Sequence, residues 1–190
     1  MIGNDIVDLI FANQNSRWQE QRFLDKLFSE EEQEFILSNG SRFHNIWHLW
    51  SMKESAYKII ARGNRVPHFN PKDFKCFSTH SDKGQVIFQN KSIPTVTQTH
   101  RNFIQTTAYI KPEWMSKVFQ FINTDYKVQN TQSYQCAAKS YAELKNLSPD
   151  TIEVIKNDMG VPQFYVNGNL QEAQLSLSHH GCFGALAIAE

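Results

Sequence analysis

The stretch "HLWSMKESAYKIIAR", residues 48–62, sets an acid and a base, Glu54 and Lys58, among aromatic rings. Wound as a helix at about 100° per residue, it gathers Leu49, Met52, Ala56, Ile59 and Ile60 into one core-facing stripe. The opposite side should be solvated. Instead Glu54 stands between Trp47, Trp50, Tyr57 and Ala61, with Lys58 one turn on. A helix apolar on both sides is expected to be covered on both sides, and a carboxylate there loses hydration unless a cation or donor compensates. Two readings follow. Lys58, at i+4, forms a structural ion pair with Glu54, or Glu54 faces a cleft and holds a metal ion or a proton for chemistry.

Other residue types could join such a site. Asp5 and Asp8 sit three apart in "GNDIVDL", so on a strand they point to opposite faces. An inward carboxylate suits a hard cation such as Mg²⁺, while the plain alternative is a cap or turn residue at a strand end. In "SLSHHG", residues 176–181, Ser178 and His179 could donate to a phosphate, with Gly181 permitting close approach. The alternative there is a strand-end turn with a solvated histidine. His44 and His48 have the i, i+4 spacing that zinc uses, but the hydrolytic form needs Glu after the first His, and Asn45 stands there. There is no G-x-S-x-G elbow, phosphate loop or dinucleotide fingerprint.

The elements that must position these groups follow from pattern. "IGNDIVDLIF" reads as a strand, and 16–28 as an amphipathic helix with Trp18, Phe23, Leu24 and Leu27 on one side. "SEEEQEFILSNG" opens with a capping box, Ser29 and Glu32, and stops at Gly40. The next helix runs from about Arg42 to Arg62, ended by Gly63 and Pro67. Strands follow at 74–79, 84–89 and 106–110, with a turn signal in "HSDKG". "NTDYKVQNTQ" reads as a polar linker. A helix over 133–147 and strand-like runs at 151–157, 162–166 and 174–190 complete the chain. This is an α+β pattern, helices against antiparallel sheet.

Bulk properties narrow the function. Nineteen basic and nineteen acidic residues cancel in a chain of 190, so no global field draws it to nucleic acid, and electrostatic recognition must be local. Four Trp, six Tyr and fourteen Phe argue against disorder. Cys76, Cys136 and Cys182 are scattered singly, which suits a reducing compartment and packing roles. Neither a signal peptide nor a membrane-length apolar run is read in the sequence, so a cytoplasmic, soluble protein without a membrane partner is expected.

Taken together, "GNDIVDL", "RFLDKLFSEEEQEF", "WSMKESAYK", "NDMGVP" and "LSLSHHG" resemble the 4′-phosphopantetheinyl transferases. The block order resembles the bacterial holo-acyl-carrier-protein synthases, and "HLWSMKES" is more similar to the larger surfactin-synthetase-type members. The likeness touches the first 75 residues and the last 45. It implies that 4′-phosphopantetheine passes from coenzyme A to a serine of an apo acyl or peptidyl carrier protein, releasing adenosine 3′,5′-bisphosphate, as in lipid and fatty acid biosynthesis. It further implies Mg²⁺ on Asp5 and Glu54, with Glu54 and Lys58 catalytic, Glu54 as candidate base, and Lys58, Ser178 and His179 as coenzyme A contacts. Carriers of this class are acidic, so Arg17, Arg22 and Lys26 are the candidate carrier-binding residues, against the ordinary reading of a solvated helix face.

Two positions depart from the family pattern. Val7 stands where surfactin-type members carry a third acid, and Gly160-Val161-Pro162 replaces a basic G-K-P or G-R-P. The second departure keeps open a coenzyme A- or carrier-binding protein without turnover; the histidine pair keeps open an unrelated metal hydrolase. The likeness implies a phosphopantetheinyl transferase-like fold of two pseudo-symmetric half-domains. Residues 1–125 would carry the metal and catalytic groups, and 126–190 the coenzyme A phosphate contacts. A monomer is expected, with a trimer that shares sites between chains as the alternative.

Overall fold

The computed structural model describes residues 1–38, 40–63, 68–78 and 82–190. Strand β1, Ile2–Asp8, is followed by helices α1, Leu9–Asn15, α2, Gln21–Leu27, α3, Glu30–Ser38, and the long α4, Arg42–Gly63. Strands β2, Lys75–Ser78, β3, Lys83–Phe88, β4, Lys91–Thr99, and β5, Phe103–Tyr109, complete an antiparallel sheet in the order β1-β5-β4-β3-β2. A second antiparallel sheet, β6-β10-β9-β8-β7, contains β6, Trp114–Gln120, β7, Ile152–Lys156, β8, Pro162–Val166, β9, Asn169–His180, and β10, Phe183–Ala189. Helix α5, Tyr126–Lys145, covers this sheet through Ala137, Tyr141 and Ala142, which share a core with Phe164, Leu175, Leu186 and Ile188.

β1 holds the two layers together because both of its faces are buried. Side chains alternate along a strand. Val7 packs in the core with α4, and a Cβ on Gly3 would run into the Ser55 carbonyl of that helix. On the other face Ile2 meets Ala187 and Ala189, and Ile6 meets Ala185. The β10 sequence "FGALAIA" serves both sides. Its alanines allow β1 close, while Leu186 and Ile188 fill the α5 core.

Several elements differ from the expectation, each for a local reason. Asp8 ends β1 by capping a helix: its Oδ1 accepts from the Ile10 and Phe11 amides at 3.0 Å, and α1 starts there. The helix expected over 16–28 shortens to Gln21–Leu27, and Arg17 lies in the connection before it. From Tyr126 on, the supposed linker is helix. Asp125 accepts from the Lys127 and Val128 amides, so α5 begins at Tyr126, and its polar first turns bury Gln129 and Ser133. β4 lies between the strands expected at 84–89 and 106–110, where none was expected, with Ile93, Thr95 and Thr97 buried. The capping box forms as expected: Ser29 donates its amide to Glu32 Oε2 at 2.9 Å, and the Glu32 amide donates to Ser29 Oγ at 3.3 Å. Pro67, and His80 and Ser81 of the expected turn, lie outside the described residues.

Candidate functional site

Asp5 lies in the middle of β1, on the face toward α4, and the chemistry gathers where the two elements cross. Lys58 donates from Nζ to the Asn4 carbonyl at 2.6 Å and stands 3.7 Å from Asp5 Oδ1. Ser51, one turn before Ser55, donates to the Asp5 carbonyl at 3.4 Å. Asp5 Oδ2 is buried and has no hydrogen-bond partner. Lys58 thus turns to Asp5 and Asn4, and the i, i+4 ion pair with Glu54 is not formed. Burial, with Asp5 close by and only Lys58 opposing, pushes the Glu54 carboxyl up to about 7. Burial also raises Asp5, against the pull of Lys58. Two half-buried carboxyl groups near one ammonium are short of positive charge.

That shortage is a test of fit for a divalent cation. An orphaned carboxylate oxygen beside a second carboxyl held partly neutral offers the all-oxygen donor set that Mg²⁺ takes. Among the described residues no group of three His, Cys, Asp or Glu side chains is clustered for a metal, so water would complete the coordination. Val7 belongs to the core and supplies no ligand. His44 is exposed and contacts Ser41 at 3.1 Å, while burial lowers His48.

From the second sheet, β9 crosses behind β1. The Asn4 amide donates to Ser176 Oγ and its side-chain Nδ2 to Ser178 Oγ, each at 3.0 Å. Ser178 is therefore a buried tie between the sheets, with one hydroxyl proton still to donate. His179 is exposed, its ring edge-on to Phe121 and Tyr126. Burial lowers its pKa, as do Lys58 and Lys156, so two cations act on one imidazole. His180 turns the other way, and its Nδ1 accepts from the Asp8 amide at 3.0 Å.

Asp8 is a structural residue. Burial works against its charge, but the amides of Phe11, Cys182 and Ile10 hold the carboxyl below its usual range. A Cβ on Gly181, whose φ is +55°, would collide with that carboxyl. The close approach Gly181 permits is to Asp8.

On the far side of Lys58 lies a cavity of about 210 Å³, between Tyr57, Lys58 and Arg62 of α4, the Gly160–Val161 turn and Ser176. Asp5, Glu54 and Lys58 are thus brought together, and Lys58 acts on His179 of the same chain, while Ser178 meets Asn4 on the other face of β1. Arg17, Arg22 and Lys26 do not join them. They are exposed, and Arg17 pairs with Glu20 at 3.9 Å. Two contributors were missed in the sequence: Asn4, hidden in an apolar strand, and Arg62, whose i+4 spacing from Lys58 was the available signal.

Residues 1–111 match the family model of the 4′-phosphopantetheinyl transferase superfamily, and the chain belongs to that superfamily. Its α+β fold is of that type: helices packed on two small antiparallel sheets. Similar solved structures include a holo-[acyl-carrier-protein] synthase of Thermotoga maritima, with 13% identity, TM-score 0.45, and 85% of this chain and 83% of that chain covered. Another is the Helicobacter pylori holo-[acyl-carrier-protein] synthase in complex with coenzyme A, with 14% identity, TM-score 0.28, and 100% and 98% covered. No curated protein matches the chain in sequence.

Proposed function

We propose that the chain is a magnesium-dependent holo-acyl-carrier-protein synthase. It moves 4′-phosphopantetheine from coenzyme A to a serine of an apo acyl or peptidyl carrier protein. The observation that carries this reading is the Asp5–Glu54–Lys58 group, short of positive charge, with Lys58 lining a cavity that Arg62 also lines, in a chain of this superfamily.

Asp5 and Glu54 would hold the ion. Bound there, it supplies neutralisation of pyrophosphate charge. Lys58, anchored on Asn4, offers its remaining donors to the same charge. In the transfer the serine oxygen bonds to the phosphorus of the pantetheine phosphate, and the bond from that phosphorus to the bridging oxygen breaks. Adenosine 3′,5′-bisphosphate leaves with the bond electrons. The serine proton passes to Glu54, the candidate general base of the group. His179 donates to a nucleotide phosphate, and Ser178 does so with its free hydroxyl proton. The exposed basic residues Arg17, Arg22 and Lys26 meet the acidic carrier.

The two-part organisation belongs to the same proposal, with 1–125 bearing the acids and 126–190 bearing the β9 contacts. β6, which precedes residue 125, crosses over to pair with β10 and knits the parts together. Because Asp5, Glu54, Lys58 and His179 converge in one chain, the protein works as a monomer. Mixing inactive D5A with inactive H179A protein tests this: activity stays absent at every ratio, and recovery would mean sites shared between subunits. The function itself is tested by incubating apo-carrier protein with coenzyme A and Mg²⁺ and reading intact mass. Addition of phosphopantetheine is expected. Coenzyme A binding without modification would leave a binding protein in its place.

A further inference from the structure

The cavity beside Lys58 contains a cation without a counter-charge among the described residues. Arg62 leaves the last turn of α4, four residues after Lys58 and so on the same helix face. Its guanidinium is half-buried against the second sheet and donates from Nη2 to the Leu175 carbonyl of β9. No carboxylate pairs with it among the described residues. Burial alone brings it down to about 10. A guanidinium has five donors, and a single carbonyl leaves most of them without a protein partner. Desolvating such a charge without an anion is costly, and chains retain it where an anion arrives.

The opposite wall shows why the cation is needed. Gly160, at φ +76°, and the Val161 amide, bonded to Asn157 Oδ1 at 3.0 Å, present an apolar side chain to the cavity. Lys58 is anchored on Asn4 and shares its charge with Asp5, its remaining donors serving the reacting phosphate. Of the described side chains that line this space, Arg62 is the positive one without an anionic partner.

We infer that Arg62 anchors a phosphate of coenzyme A in this cavity, supplying from α4 the positive charge that Val161 does not offer from the facing turn. The inference rests on the transferase reading above. Arg62 holds the nucleotide and takes no part in the proton transfer at Glu54. Its loss therefore shows in binding and KM while kcat is kept.

Four proteins test it: wild type, R62Q, R62K, and R62Q combined with V161K. Coenzyme A binding is measured by calorimetry, transfer by carrier mass, and melting temperature in parallel. R62Q should bind coenzyme A at least about tenfold more weakly, with kcat within roughly threefold of wild type, as expected for losing a charge-assisted hydrogen bond. R62K should stay within about threefold of wild type, because the charge persists. V161K in the R62Q background should restore binding, since it returns a cation to the same space from the other wall. Wild-type affinity in R62Q would overturn the assignment. So would weak binding that V161K does not repair and that accompanies a lowered melting temperature, the mark of a mere tie to Leu175. A wild-type protein that binds no coenzyme A would fell the transferase reading and Arg62 with it. Equal binding by wild type and R62Q would fell Arg62 alone.

Discussion

Lys53 and Lys58 leave one helix five residues apart, and their surroundings are opposite. Lys53 is completely buried, and its Nζ reaches both Glu32 oxygens at 2.8 Å, the Pro71 carbonyl at 2.9 Å and the Phe74 carbonyl at 2.6 Å. Glu32 in turn accepts from the Ser29 and Cys76 amides. Every strong donor and acceptor of the pair is used. The result is a clamp that fixes α3, the 71–74 turn and β2 on α4. Around Lys58 the same residue types are left incomplete: Asp5 Oδ2 has no partner, and Glu54 rises to about 7. The satisfied pair builds structure, and the unsatisfied group is where a ligand is proposed.

The sharpest way to break this contrast is to remove the unsatisfied acids. D5A and E54A should each lower transfer by at least about a thousandfold, on the order of 4 kcal/mol, while the melting temperature holds within a few degrees. Collapse of the fold in either variant would make the site structural, like the clamp. The complementary change is K53A. It strands Glu32 as a buried charge, so about 3–5 kcal/mol of stability should go. In a chain of this size that is roughly 6–20 °C of melting temperature. Protein that remains folded should transfer at close to the normal rate; a selective loss of kcat would move Lys53 into the site. K58A comes next, with kcat expected to fall about tenfold to a hundredfold and coenzyme A affinity to fall less. The reverse pattern would make Lys58 a binding residue.

How far the sequence foretold this arrangement depends on whether the deciding partner lies nearby in the chain. The α4 pattern, apolar on both sides, correctly implied a covered helix, and the Ser29–Glu32 capping box was legible because its partners are three residues apart. What failed was local reading of polar residues. For Asp8 the plain reading, a strand-end cap, holds, but the helix α1 that its bonds to Ile10 and Phe11 start was read as a continuation of the strand. Residues 123–132 looked like a linker because Gln129 finds its cover in tertiary structure, donating to the Gly181 carbonyl at 2.9 Å. The Glu54–Lys58 pair followed from spacing alone, and it lost to Asn4 and Asp5 on another element. The convergence of β9 on this group rests on Asn4, whose partners are more than 170 residues away.

The smallest effect separates the two carboxyl environments by pH. Glu54 in the folded, metal-free chain holds its proton up to about 7, whereas its ordinary value is 4.5. Between those values the folded state binds more protons at this position than the unfolded state, so Glu54 takes stability away as pH rises through the window. His48, His179 and His180 are lowered by burial, and below their ordinary 6.5 they act in the opposite sense. The melting temperature of the wild type alone is therefore a mixture, and its difference from E54Q isolates the carboxyl. Without metal, that difference should be near zero at pH 4 and should grow in favour of E54Q, to about a few degrees, by pH 7.5. Mg²⁺ should then reverse it at pH 7.5, raising the wild type and leaving E54Q behind, because an ion that binds only the folded carboxylate site stabilises by mass action. A pH-independent difference would deny that Glu54 is an uncompensated acid. A Mg²⁺ response shared equally by both proteins would place the ion elsewhere.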